Sequence, residues 1–118
     1  MRTLIVIVSL LLTALGTTGA RAHAFLDHAS PLVGSTVPTA PHELTLWFTQ
    51  NLEAAFSTVE VFDANGGRVD QGKPSVSGNT MHAALKPLAA GTYRVRWHVL
   101  SVDTHTTQGS FTFHVGSP

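Results

Sequence analysis

Gly91-Thr92-Tyr93-Arg94-Val95-Arg96-Trp97-His98-Val99 sets Tyr93, Val95, Trp97 and Val99 on one side of an extended chain and Arg94, Arg96 and His98 on the other. A period of two with apolar residues in one phase defines a strand that buries one face and solvates the other. The turn-rich stretch from Pro87 to Gly91 leads into it. Downstream, past a loop around Asp103 to Gln108, Phe111, Phe113 and Val115 alternate with Ser110, Thr112 and His114. Upstream, Leu44, Leu46 and Phe48 alternate with Thr45, Trp47 and Thr49. Thr58 to Phe62 is β-branched and aromatic, and runs into Asp63-Ala64-Asn65-Gly66-Gly67, a strong turn. A short strand is expected over Arg68 to Asp70, a loop over Lys73 to Asn79 and a strand over Thr80 to Leu85. Ala29 to Pro41, with its three prolines and Gly34, reads as an extended lead-in. No stretch has helical periodicity. The pattern predicts an all-β, single-domain antiparallel Greek-key sandwich or barrel, with Trp47 and Trp97 as packing residues.

The N-terminus has a different character. Met1 and Arg2 precede an apolar run from Leu4 to Leu15, then Gly16 to Thr18 and Ala20-Arg21-Ala22. A charged start, a short hydrophobic region and an A-x-A site form a secretory signal peptide, expected to be cut after Ala22. The run is too short and too quickly broken to favour a spanning helix. Domain organisation is therefore a cleaved signal at 1–22 and one domain at 23–118. The exported part holds five basic and seven acidic residues, a formal charge of −2. No basic patch points to nucleic acid. The 118-residue chain has no cysteine, so the domain folds without disulfides and cannot form a thiolate copper centre. It does have seven histidines, and that excess points towards metal.

Cleavage after Ala22 makes His23 the first residue, offering a metal its α-amine and its imidazole together. With ordinary pKa values near ~8 and ~6.5, both deprotonate readily in competition with a metal. A second pair of donors lies in Ser101-Val102-Asp103-Thr104-His105. In an extended segment Asp103 and His105, two apart, point to the same side. Amine, two imidazoles and carboxylate make an N3O set, which suits Cu(II) best and Ni(II) or Zn(II) less well. Of the other histidines, His28 is read as surface rather than site, and His42 and His82 as solvated. His98 and His114 are placed on outward faces of adjacent strands, near enough in principle to meet across the sheet but expected to be merely exposed. Asp27 is given no role.

The exported chain resembles the CopC family of periplasmic copper-binding, copper-resistance proteins. The resemblance rests on His23-Ala24-Phe25-Leu26, Ala29-Ser30-Pro31 and Leu46-Trp47-Phe48-Thr49-Gln50-Asn51-Leu52. It continues through Leu88 to Trp97, Ser101 to His105 and Gly109 to Val115. It implies a cupredoxin-like or immunoglobulin-like sandwich that binds one Cu(II) per chain through His23, Asp103 and His105. The implied role is periplasmic sequestration in copper homeostasis or resistance, with a membrane copper-transport protein as a partner the resemblance suggests; a monomer is expected. Two departures stand out. Met81 is the only methionine after processing, so the methionine-rich Cu(I) site of some members cannot form, and Gln50 stands where some members carry Glu near the copper. Two other readings compete: an oxidative copper enzyme with an N-terminal histidine, and a non-metal Ig-like interaction module. A chain this short leaves the enzyme little room for a substrate surface.

Overall fold

The computed structural model describes residues 24–116, so the expected signal peptide at 1–22 and His23 lie outside the described residues. Eight strands follow in order: β1 (Leu26–Ser30), β2 (Thr36–Val37), β3 (Glu43–Phe48), β4 (Thr58–Phe62), β5 (Asp70–Ser77), β6 (Thr80–Leu85), β7 (Gly91–Leu100) and β8 (Thr106–Val115). A short 3-10 turn at Ala54–Phe56 precedes β4. They form two four-stranded sheets, ordered β1-β3-β6-β5 and β2-β8-β7-β4, and the chain passes repeatedly from one to the other. The apolar phases read from the sequence meet between the sheets. Leu44, Leu46 and Phe48 from β3 and Met81, Ala83 and Leu85 from β6 face Val59, Val61, Tyr93, Val95, Trp97, Val99, Phe111 and Phe113, all buried. The longest pairing, β7 with β8, runs from Gly91 opposite Val115 to Leu100 opposite Thr106. Within it Gly109 faces Trp97, whose ring lies over it: a Cβ at Gly109 would sit 2.5 Å from Trp97 Cζ2. Trp97 in turn meets Phe48 edge-on at 5.2 Å between centroids, joining the sheets.

Several expectations change. Lys73 to Asn79 is not a loop: most of it belongs to β5, while Arg68 makes only an isolated bridge to Phe62. The strand is an edge with a register shift between Gln71 and Ser75, which tolerates Pro74 and buries little, so it carries no apolar period. The lead-in holds the last two residues of β1 and all of β2, and β2 pairs with β8 in parallel, the exception to the otherwise antiparallel pairing. β8 begins at Thr106, before the expected end of the loop. Trp97 is in the core, but Trp47 lies half-buried on the outer face of the first sheet, where it stacks on His28 at 4.2 Å. His98 faces Gln108 and His114 faces Thr92. Six residues of strand, roughly 20 Å, separate those two positions, so they do not meet.

Candidate metal centre

The rim at one end of the sandwich gathers the segments that matter. Ser101, with no exposed surface, follows β7 directly and opens the turn into β8. Its backbone N–H donates to the carbonyl of His105 (3.0 Å), and its hydroxyl accepts the His105 N–H (3.3 Å). The same hydroxyl donates to Asp103 Oδ1. Thr104 completes the reversal with φ of 71°, a left-handed conformation uncommon for a β-branched residue. Asp103 and His105 therefore converge because a tight turn folds them together, not because the segment is extended. His105 Nδ1 lies 3.4 Å from Asp103 Oδ1, with both side chains partly open to solvent. The Ser101 hydroxyl, and then the His105 ring, hold the Asp103 carboxyl below its ordinary range. The group is thus an anionic donor beside an imidazole, a pair of the right chemistry for a divalent transition metal.

The neighbouring rim is stitched to this turn. Val102 N–H donates to Asn51 O (3.0 Å), Glu53 N–H to Leu100 O (2.8 Å), and Leu52 bridges Ser101. The start of the described chain arrives here too. Ala24 is fully buried, and its carbonyl accepts from the hydroxyl of Thr107, two residues beyond His105. Phe25 makes two bonds with Thr49: its N–H donates to the side-chain Thr49 Oγ1 (2.9 Å) and its carbonyl accepts from Thr49 N–H (2.9 Å). Gln50 is half-buried between Thr49 and Asn51, the residues that bind Phe25 and Val102.

Among the described residues, no three His, Cys, Asp or Glu side chains converge on a common point. The structure brings Asp103 and His105 together, while His23 falls outside its compass. The remaining histidines have other surroundings. His28 Nδ1 lies 2.7 Å from Asp27 Oδ2 on the outer face of the first sheet, so Asp27 does have a partner, which the sequence reading missed. His82 is not simply solvated but lies 3.1 Å from Thr45 Oγ1 and 3.2 Å from Glu43 Oε1; His114 lies 2.9 Å from Thr92 Oγ1. Thr107 and Thr49 carried no signal in sequence, since a hydroxyl that grips a distant backbone looks like any strand threonine. A groove of about 530 Å³ lies at the far end of the second sheet against Phe62, Arg94 and Thr112, away from the Asp103–His105 pair.

The CopC domain family matches residues 26–116, and the chain belongs to it. Protein YobA of Escherichia coli strain K12 is 34% identical over 111 residues, covering 91% of this chain and 90% of its own. Copper transport protein CutJ of Bacillus subtilis is 30% identical over 99 residues, which are 80% of this chain but only 18% of that one. Among solved structures, PcoC, a methionine-rich copper resistance protein from Escherichia coli, superposes with a TM-score of 0.70. It is 33% identical and covers 80% of this chain and 99% of its own. This is a family of copper-resistance proteins, not of enzymes, and the oxidative-enzyme reading falls with that membership. No helix among the described residues is long and apolar enough to cross a membrane.

Proposed function

We propose that the protein is exported to the periplasm, is cut after Ala22, and holds one Cu(II) through the His23 amine and imidazole, the Asp103 carboxylate and the His105 imidazole. The observation that carries this reading is convergence. A buried serine folds Asp103 onto His105, and the residue following His23 is tied to β8 two positions further on. Two nitrogens from an N-terminal histidine, added to that pair, make a tetragonal N3O set suited to Cu(II). Met81 supports a single oxidation state: the one methionine of the exported chain has no exposed surface and offers no thioether to Cu(I). The protein acts as a monomeric carrier or buffer that sequesters copper and delivers it to a membrane copper-transport protein. Delivery is supported by CutJ, a copper transport protein in which the matching region is 18% of a longer chain. The metal-bearing rim also exposes Phe25, Phe56 and Val102, apolar surface that such a partner would cover.

Intact mass and Cu(II) titration with EPR, on protein purified from the exported fraction of its host, test the reading. The expected result is a mature mass beginning at His23 and one nitrogen-rich tetragonal Cu(II), lost in Asp103→Ala and in His105→Ala. A different N-terminus, or weak binding indifferent to both substitutions, would sink it.

A further inference from the structure

Two threonine hydroxyls grip a single peptide unit. The Ala24 carbonyl and the Phe25 N–H belong to the same planar group, whose atoms cannot rotate independently. Thr107 Oγ1, on β8 of the second sheet, donates to that carbonyl. Thr49 Oγ1, at the end of β3 in the first sheet, accepts that N–H at 2.9 Å. The unit is therefore held from both sheets at once, and Phe25 O with Thr49 N–H (2.9 Å) makes a third tie. Ala24 is fully buried beneath it. Thr107 shares the phase of β8 that carries Phe111 and Phe113 inward, and is itself half-buried. Its partner at that depth is the Ala24 carbonyl.

We propose that Thr107 and Thr49 are positioning residues for the N-terminal metal arm, a clamp that preorganises His23 against Asp103 and His105. This rests on the Cu(II) reading above. Covalent geometry gives the clamp its reach: neighbouring α-carbons across a trans peptide are about 3.8 Å apart, so a residue bonded to Ala24 begins one peptide unit from the clamp. Fixing the 24–25 unit leaves a few rotations between the clamp and both nitrogens of His23. A first residue on a free arm would have to lose that conformational freedom each time it bound metal; a clamped one has lost it on folding. The clamp residues touch no metal themselves. They act on affinity through residence time, because a held arm rebinds before the ion escapes.

The test compares Thr107→Val, Thr49→Val and Thr107→Ser in protein that begins at His23. Cu(II) affinity is measured by competition with a chelator, release rate by chelator challenge, and apo stability by thermal unfolding. Each valine variant is expected to lose about fivefold in affinity, the worth of one hydrogen bond of roughly 1 kcal/mol. The loss appears as faster release, with the EPR signature of the same donors retained. Thr107→Ser, which keeps the hydroxyl, stays within about twofold of wild type on the same scale. In a His23→Ala protein whose α-amine is also acetylated, Thr107→Val leaves the residual affinity unchanged, since the arm then carries no donor to position. Wild-type affinity and release in both valine variants, or an equal loss with and without His23, would overturn the clamp. If Thr107→Val does not fold, Thr49→Val decides from the opposite sheet. Failure of the underlying reading looks different: Asp103→Ala and His105→Ala would then leave Cu(II) binding untouched.

Discussion

Ser101 carries a heavier burden than its size suggests. Its hydroxyl meets Asp103 Oδ1 and the backbone N–H of His105, so one buried side chain fixes the direction of one proposed ligand and the backbone of the other. It is also the foremost reason the Asp103 carboxyl sits below its ordinary range. Ser101→Ala removes the donor, so the Asp103 carboxyl of the apoprotein should titrate closer to an ordinary aspartate, read by carbon-detected NMR. Loss of a partner that orients a ligand typically weakens metal binding 10- to 100-fold, and about tenfold is expected here in Cu(II) competition. An unchanged titration and affinity would remove Ser101 from the site. The sequence made Asp103 and His105 visible as a pair, but for a reason the fold replaces. A strand would aim them alike through its pleat, whereas the chain uses a turn with Thr104 at positive φ. Side-chain direction was legible; the backbone producing it was not, because a hydroxyl gripping its own loop leaves no periodic trace.

At the scale of elements, legibility followed burial. β7, β8, β3 and β6 each bury apolar residues at alternate positions, so their apolar period is the fold written in the chain. β5 has only Pro74 and Val76 turned partly inward along its middle, and a bulge interrupts it, so its sequence looked like a loop. β1 hides behind Asp27 and His28, which face outward or lie exposed while Ala29 alone is buried. What attaches the start of β5 to β4 is polar. Asp70, with a side chain only 6% exposed, accepts from Val61 N–H at 2.9 Å and from Arg68 Nε at 2.7 Å. Burial pushes its carboxyl up, but the Arg68 and Val61 bonds outweigh that and hold it below the ordinary value. A depressed folded pKa means the charged form stabilises the fold, fully above the unfolded value of ~3.9 and progressively less as pH falls through the folded one. Asp70→Asn should lower apo stability by about 1–2 kcal/mol at pH 7, a charged hydrogen bond discounted for the half-exposed Arg68. In urea unfolding the gap to wild type should close in acid below that window. A gap independent of pH would mean that packing, not charge, ties β5 to β4.

For the whole molecule, the two sheets are held by an apolar core without a disulfide, and at the rim they are joined again through the N-terminal segment. A metal bound there by His23, Asp103 and His105 would tie that segment to the β7–β8 turn and stabilise the fold as any ligand of the native state does. The gain is RT ln(1 + [L]/Kd), about 2.7 kcal/mol at 100-fold excess over Kd. For a domain of this length that raises Tm by on the order of 10–20 °C, and chelator should reverse it. The sign of the pH effect is set by the donors: protonation of the amine and imidazoles competes with metal, so the shift shrinks as pH falls. The decisive comparison is one residue long. Protein beginning at His23 should show the full shift, and the same domain with a single glycine placed before His23 should show a much smaller one. The extension keeps every side chain and the entire sandwich, and removes only the free amine of His23. Equal shifts in the two forms would place the metal on side chains alone, and the role of signal cleavage in building the site would be lost.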